Sequence, residues 1–260
     1  LLEFEHQVEE AAMGNAASDG CKWPAVKQVA GELIVSCQAS TGEPLCSPEH
    51  ILALALSAIN GGAGALRLEG VDNIKLVRSK TKLPIIGLTK DDTIPSSERL
   101  KKVYITGAFA DAQSLAAAGA DIIALDATGR PRPDGLTLKE QIERIHDELN
   151  LPVWADVATF SEGVSARQAG ADVISSTMYG YTEETVLPPE QGPSFELLKD
   201  LCQHMDCPVI LEGRVWHPEE VTRAFDIGVH AVVVGSAITR PQLITQRFVN
   251  AIPARKSDRH

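Results

Sequence analysis

Short apolar runs that end on a polar group recur along the chain: "ELIVSCQ", "GALRLE", "PIIGLTK", "DIIALDA", "PVWADV", "DVISST", "PVILEGR" and "AVVVGSA". Runs of this length, rich in Ile, Val and Leu and bounded by turn residues, predict buried strands. Stretches with helical spacing lie between them, such as "PEHILALALSAI" after the first and "LTLKEQIERIHDEL" after the fourth. Prolines 84, 152 and 208 stand just before strands, where they stop a helix without removing a ladder donor. The segments "AAAGADIIALD", "RQAGADVISST" and "FDIGVHAVVVG" repeat one order of helix end, glycine C-cap and buried strand.

Eight such units in about 230 residues predict an α/β fold, the (β/α)8 TIM barrel. A doubly wound sheet would carry a glycine-rich turn after its first strand, where "SCQASTGEPL" stands instead. "GGAGAL" precedes a strand rather than opening a helix, so it is no dinucleotide fingerprint. The extra run "KKVYITG" is expected to belong to a loop excursion after the third strand, or to be a shifted strand. Residues 1–30 are assigned to a leader and a barrel-closing helix, 31–252 to one catalytic barrel domain, and 253–260 to a tail. The chain opens on Leu1; Met13 is read as a native start behind an added leader, which leaves residues 1–12 out of the fold.

Composition narrows the partners. The 260 residues are 44% hydrophobic but only 5% aromatic, the usual filling of helices packed on parallel strands. A net charge of -11 without a dense basic block argues against nucleic-acid binding, although a few local donors can still hold a small anion. No apolar run approaches a membrane span, and the opening "LLEFEHQVEEAA" is acidic rather than signal-like. Five cysteines without CxxC spacing point to a reducing cytosol, hence a cytoplasmic location. "CQHMDC" reads as a helix end followed by a strand, and the seven histidines form no ligand-spaced cluster, so no metal is expected.

Function in such a barrel gathers at the C-terminal strand ends. Those ends carry Gln38, Arg67, Lys90, Asp126, Asp156, Glu212 with Arg214, and Gly235 with Ser236. An amine, guanidinium groups, carboxylates and an amide converging on one mouth form a candidate substrate site. Lys90 and Glu212 end strands half a barrel apart and so face each other. Lys90 can serve as a proton-transfer base if desolvation or a cation such as Arg67 lowers its pKa. It could instead form a Schiff base, or a structural bridge to Glu212. Asp126 could simply cap its loop with Thr128, Arg130 and Arg132 could be solvated, and Asp156 could cap a helix. The last two units suggest a phosphate cup, with Gly213, Gly235 and Ser236 giving backbone N–H groups and Arg240 adding charge. Gly180 and Tyr181 in "MYGYT" are further candidate donors.

With these motifs in order, the chain resembles the N-acylglucosamine-6-phosphate 2-epimerases, the N-acetylmannosamine-6-phosphate epimerases of bacterial sialic-acid catabolism. The resemblance spans about residues 30 to 250 through "GELIVSCQASTGEPL", "GALRLEG", "PIIGLTK", "VYITG", "GADIIALDATGRPRP", "WADVATFSEG", "STMYGYT", "LEGR" and "VVVGSAITRP". It implies a phosphate-binding TIM barrel that works on a sugar phosphate without a redox cofactor. Lys90 would be the proton-transfer residue and Glu212 its partner. Gln38, Arg67, Asp126 and Asp156 would position hydroxyls and the acetamido group, with Arg240 near the phosphate. Two positions depart from the family pattern: Gly107 stands where "ITP" is usual, and "VAT" replaces "IST" after Asp156. The final helix, "PQLITQRFVNAI", is mixed in character and suits a homodimer interface or barrel packing.

Overall fold

The computed structural model describes residues 21–95, 97–188 and 190–253. Eight parallel strands form a closed barrel in chain order. They are β1 (Leu33–Cys37), β2 (Ala65–Glu69), β3 (Ile85–Leu88), β4 (Ile122–Asp126), β5 (Val153–Asp156), β6 (Val173–Ser175), β7 (Val209–Glu212) and β8 (Ala231–Val234). Closure comes from β8 lying beside β1, with Val35 opposite Val234. Helices connect successive strands, among them Pro48–Asn60, Val71–Arg78, Phe109–Ala118, Phe160–Gln168, Phe195–His204 and Pro218–Ile227. This is the (β/α)8 barrel that the pattern predicts.

Side chains alternate across a strand, so each run divides into an inward and an outward set. Leu66, Leu68, Ile85, Ile123, Leu125, Ala155, Ile174 and Leu211 belong to the buried layer between strands and helices. Ile34, Ala65, Ile86, Leu88, Ile122, Ala124, Trp154, Val173, Ile210, Ala231 and Val233 fill the interior. Below them Trp23, Val26 and Val29, on and beside the helix Pro24–Gln28, join the same interior cluster and close the floor. Trp23 Nε1 donates to Asp172 Oδ1 at 2.6 Å, and His230 Nε2 lies 2.8 Å from the Val26 carbonyl. Full burial of this many branched side chains stabilises the barrel by about 1.5–3 kcal/mol each, before entropy is counted.

The three glycines of the repeated segment sit where the chain needs a left-handed turn. Gly119, Gly170 and Gly228 have φ of 102°, 108° and 102°, which lets each helix stop and the next strand begin at once. The prolines before β3, β5 and β7 give up no ladder donor. Their carbonyls accept from Leu66, Ile123 and Ile174 of the preceding strands, each at 3.0 Å.

The "KKVYITG" run is an excursion rather than a ninth strand. Ile105 forms an antiparallel bridge with Lys90. Asp91 N donates to the Tyr104 carbonyl at 2.9 Å, Thr106 N to Thr89 at 3.0 Å, and Asp126 N to Ile105 at 3.0 Å. The segment is thus wedged between the tops of β3 and β4. It carries Tyr104 against the interior cluster.

Candidate active site

The inward parity that places apolar residues in the barrel continues upward into polar ones. Ser36 and Gln38 follow Ile34, Arg67 and Glu69 follow Ala65, Lys90 follows Leu88, and Asp156 follows Trp154. Asp126 follows Ala124, Thr177 follows Ser175, Glu212 follows Ile210, and Gly235 follows Val233. The mouth is therefore lined by the top inward position of each strand.

Arg67 is its centre and is 1% exposed. Its Nη1 and Nη2 donate to the two Asp156 carboxylate oxygens at 3.2 and 2.6 Å, a two-pronged pair across the barrel. Its Nε lies 3.0 Å from Glu212 Oε1, and its guanidinium sits 5.8 Å from the centre of the Trp154 ring. Asp156 also accepts from Thr177 Oγ1 at 2.6 Å, and that hydroxyl lies 2.9 Å from Ser175 Oγ. Asp156 thus serves the mouth. The helix that follows it is capped by Thr159 instead.

Lys90 and Glu212 do not form the structural bridge. Lys90 Nζ donates to Gln38 Oε1 at 2.6 Å, and Gln38 Nε2 donates to Ser36 Oγ at 2.7 Å. Burial of the amine lowers the Lys90 pKa; Arg67 and Arg240 push the same way, while Glu69 and Glu212 oppose them. Burial, helped by the nearby Asp156 charge, raises the Glu212 carboxyl to about 7 despite the Arg67 cation. Glu212 Oε2 is buried with no hydrogen-bond partner. An amine shifted downward and a carboxyl shifted upward thus share the mouth.

The amides of Gly213, Gly235 and Ser236 donate to no acceptor among the described residues, so the tops of β7 and β8 present free N–H groups. Close packing favours glycine at both strand tops, and Gly213 also has a φ of 97°. A Cβ on Gly213 would stand 3.3 Å from the Thr177 carbonyl, and one on Gly235 would stand 3.3 Å from Ser36 Cβ. Arg240 is ion-paired with Glu43 of the loop after β1.

Other candidates are already engaged by neighbouring groups of the protein. The Gly180 amide donates to Thr185 Oγ1 at 3.0 Å and the Tyr181 amide to the Met178 carbonyl at 2.9 Å, so neither is a free donor. Arg214, at a φ of 61°, sends its guanidinium into the loop after β6. There it donates to the carbonyls of Gly180, Leu187, Pro188 and Gln191. Asp126 accepts from Thr128 N and Oγ1 on one oxygen and from Arg130 Nη2 on the other. Arg132 bonds the Asp126 carbonyl. Arg132 is buried and Arg130 largely covered, so the two pin the β4 loop and are not solvated loop charges.

Four residues in or beside the mouth escape a reading of strand ends. Glu69 lies two residues beyond Arg67 and Thr177 two beyond Ser175, on the same inward parity, which is the signal that finds them. Tyr104 arrives from the excursion, and its phenol is raised to about 12 by burial, with Asp126 adding to the shift. Glu43 comes from a loop and has no pattern to mark it. Among the described residues no His, Cys, Asp and Glu cluster is arranged to hold a metal ion.

A family model described as "Putative N-acetylmannosamine-6-phosphate epimerase" matches residues 51–254. A relative from Thermosynechococcus vestitus described as a 2-epimerase of the same sugar phosphate is 45% identical over 227 residues, covering 87% of this chain and 96% of the relative. One from Cutibacterium acnes is 42% identical over 229 residues, with the same two coverages of 87% and 96%. The solved N-acetylmannosamine-6-phosphate 2-epimerase from Clostridium perfringens is 40% identical and matches with a TM-score of 0.81 over 87% of this chain and 96% of that one. Thiamine phosphate pyrophosphorylase from Pyrococcus furiosus, 16% identical with a TM-score of 0.54 over 86% of this chain and 97% of that one, shares the fold alone. The chain belongs to the N-acetylmannosamine-6-phosphate epimerase family.

Proposed function

We propose that this chain interconverts N-acetylmannosamine 6-phosphate and N-acetylglucosamine 6-phosphate by removing and returning the proton at C2, within amino-sugar and sialic-acid catabolism. The observation that carries the reading is the pair of oppositely shifted groups, Lys90 and Glu212, in one mouth around Arg67. The C2–H bond is acidic only beside an electron sink, so the sugar reacts with C1 as an open aldehyde. Neutral Lys90 takes the C2 proton, the C–H electrons move into a C1–C2 double bond, and charge develops on the C1 oxygen. Arg67 and Gln38 supply donors for the enediolate. Glu212, holding a proton near neutral pH, is the candidate donor to the opposite face. The electrons return to C2 as that proton arrives, and the configuration inverts.

The free amides of Gly213, Gly235 and Ser236, with Arg240, support a phosphate cup at the tops of β7 and β8. Anchoring there, remote from C2, would hold the C2–H bond toward the amine. Thr177 and Tyr104 would contact sugar hydroxyls or the acetamido group. Five free cysteines suit a cytoplasmic enzyme, and among the described residues no helix is long and apolar enough to cross a membrane. A homodimer is proposed from the last helix, Pro241–Asn250, where Phe248 and Val249 are exposed, as is Ile252 just beyond; light scattering on the purified chain tests it.

A coupled epimerisation assay in deuterated water tests the reaction. The product should carry solvent deuterium at C2, and a product without it excludes exchange through a free base. Lys90→Ala should lower kcat by about a thousandfold or more while sugar-phosphate binding changes far less. Borohydride added with substrate should trap no adduct on Lys90.

A further inference from the structure

We infer that Glu43 is the resident anion of the phosphate cup, a positioning residue that Arg240 exchanges for the phosphate of the substrate. The inference rests on the proposed phosphate role of Arg240. Glu43 lies in the loop joining β1 to the helix Pro48–Asn60, and its Oε1 accepts from Arg240 Nη2. Both side chains are mostly covered, at 21% and 23% exposure. The other oxygen, Oε2, is already engaged, accepting from the Ser40 amide at 2.8 Å.

That division leaves the guanidinium edge half used. Nε and Nη2 of an arginine form one side-on fork, which a free carboxylate or phosphate fills with two oxygens. Glu43 has only one oxygen to offer, and Arg240 Nε is buried without a partner. A phosphate monoester brings three oxygens and a larger charge. It can fill the fork while its remaining oxygens take the N–H groups of Gly213, Gly235 and Ser236. Glu43 and a dianion cannot share one edge without like-charge repulsion, so arrival of the phosphate displaces the carboxylate. No bond is made or broken; one counter-ion replaces another.

The exchange reaches the reacting end of the site. The loop that Glu43 anchors begins at Gln38, the acceptor of the Lys90 amine. The same loop is tied to the rim after β3, where Thr41 Oγ1 donates to Asp92 Oδ2 at 2.7 Å, and Arg99 donates to the other Asp92 oxygen at 3.1 Å. Release of Glu43 therefore loosens the loop next to Lys90 only when phosphate is seated. It also holds phosphate affinity below what the cup alone would give, which speeds the departure of a dianionic product.

The test is calorimetric titration of the purified chain with inorganic phosphate, using Glu43→Gln, Arg240→Gln and the double variant. Glu43→Gln should bind phosphate roughly fivefold tighter, because the competing charge is gone. Damage to the fold could only weaken binding, so a gain is diagnostic. The double variant should show no gain over Arg240→Gln. If Glu43→Gln binds phosphate more weakly, or unchanged, Glu43 is an orienting partner or a bystander and the exchange is wrong. Should Glu43→Gln fail to fold, Glu43→Asp, whose carboxylate is withdrawn by one methylene, must show a gain in the same direction, and none overturns the idea. If Arg240→Gln binds phosphate like the parent chain, the phosphate reading of Arg240 falls and the exchange falls with it.

Discussion

One carboxyl oxygen of Glu212 is buried without a hydrogen bond, and its group titrates near 7 where an ordinary glutamate would lie at 4.5. Between those values the folded chain keeps a proton that the unfolded chain has shed. The stability from this group is therefore full below the unfolded value and is lost as pH rises through about 7. Urea unfolding of Glu212→Gln should show that acid-side gain removed, a difference of up to about 3 kcal/mol between pH 4.5 and 8 relative to the parent. Lys90 carries the opposite sign. Glu69 opposes its deprotonation, so Glu69→Gln should move the acid limb of the kcat/KM profile to lower pH, which a pH-rate series reads directly. Arg67→Met would strip Asp156 of its two-pronged partner and Glu212 of its neighbouring cation under cover, costing about 3–5 kcal/mol in denaturant unfolding. At this scale much of the mouth is legible in the letters, because Gln38, Arg67, Lys90, Asp156 and Glu212 all end apolar runs. Parity would have added Glu69 and Thr177. The direction of Arg214 was not legible, since a left-handed backbone at that residue turns it out of the strand pattern.

Elements carry their own signals, and these are strong where a glycine or proline marks a boundary. Each αL glycine lets a helix end and a strand start without a spacer, which keeps the eight units in register. Gly119→Ala should cost about 1 kcal/mol or more in thermal unfolding, both from its φ of 102° and because the new Cβ would meet Arg78 Cγ at 2.8 Å. Strand positions and helix order follow from the pattern, since burial on both faces demands continuous apolar runs. Loops obey no such period. The wedge formed by residues 103–107 appears in the sequence as a strand-like run, but its antiparallel seat on Lys90 depends on hydrogen bonds to β3 and β4 that no local pattern encodes. The loop after β6 is held by four carbonyl contacts from Arg214. Arg214→Ala should make the 180–191 segment the first site of limited proteolysis while the circular dichroism of the barrel stays unchanged.

On the scale of the whole molecule, a chain of net charge -11 concentrates Arg67, Lys90 and Arg240 at one end of its barrel. The local field at that end, not the total charge, decides whether a dianion is welcome. The opposite end is sealed by Trp23, Val26 and Val29. Because that seal lies a full barrel length from the mouth, Trp23→Ala should lower stability by about 3–5 kcal/mol in urea while kcat of the surviving folded enzyme stays within about twofold. The sealed base also makes the barrel a cul-de-sac. Incoming sugar and outgoing epimer must use one doorway in turn, so each should slow the other as a simple competitor, and neither can be swept through from below.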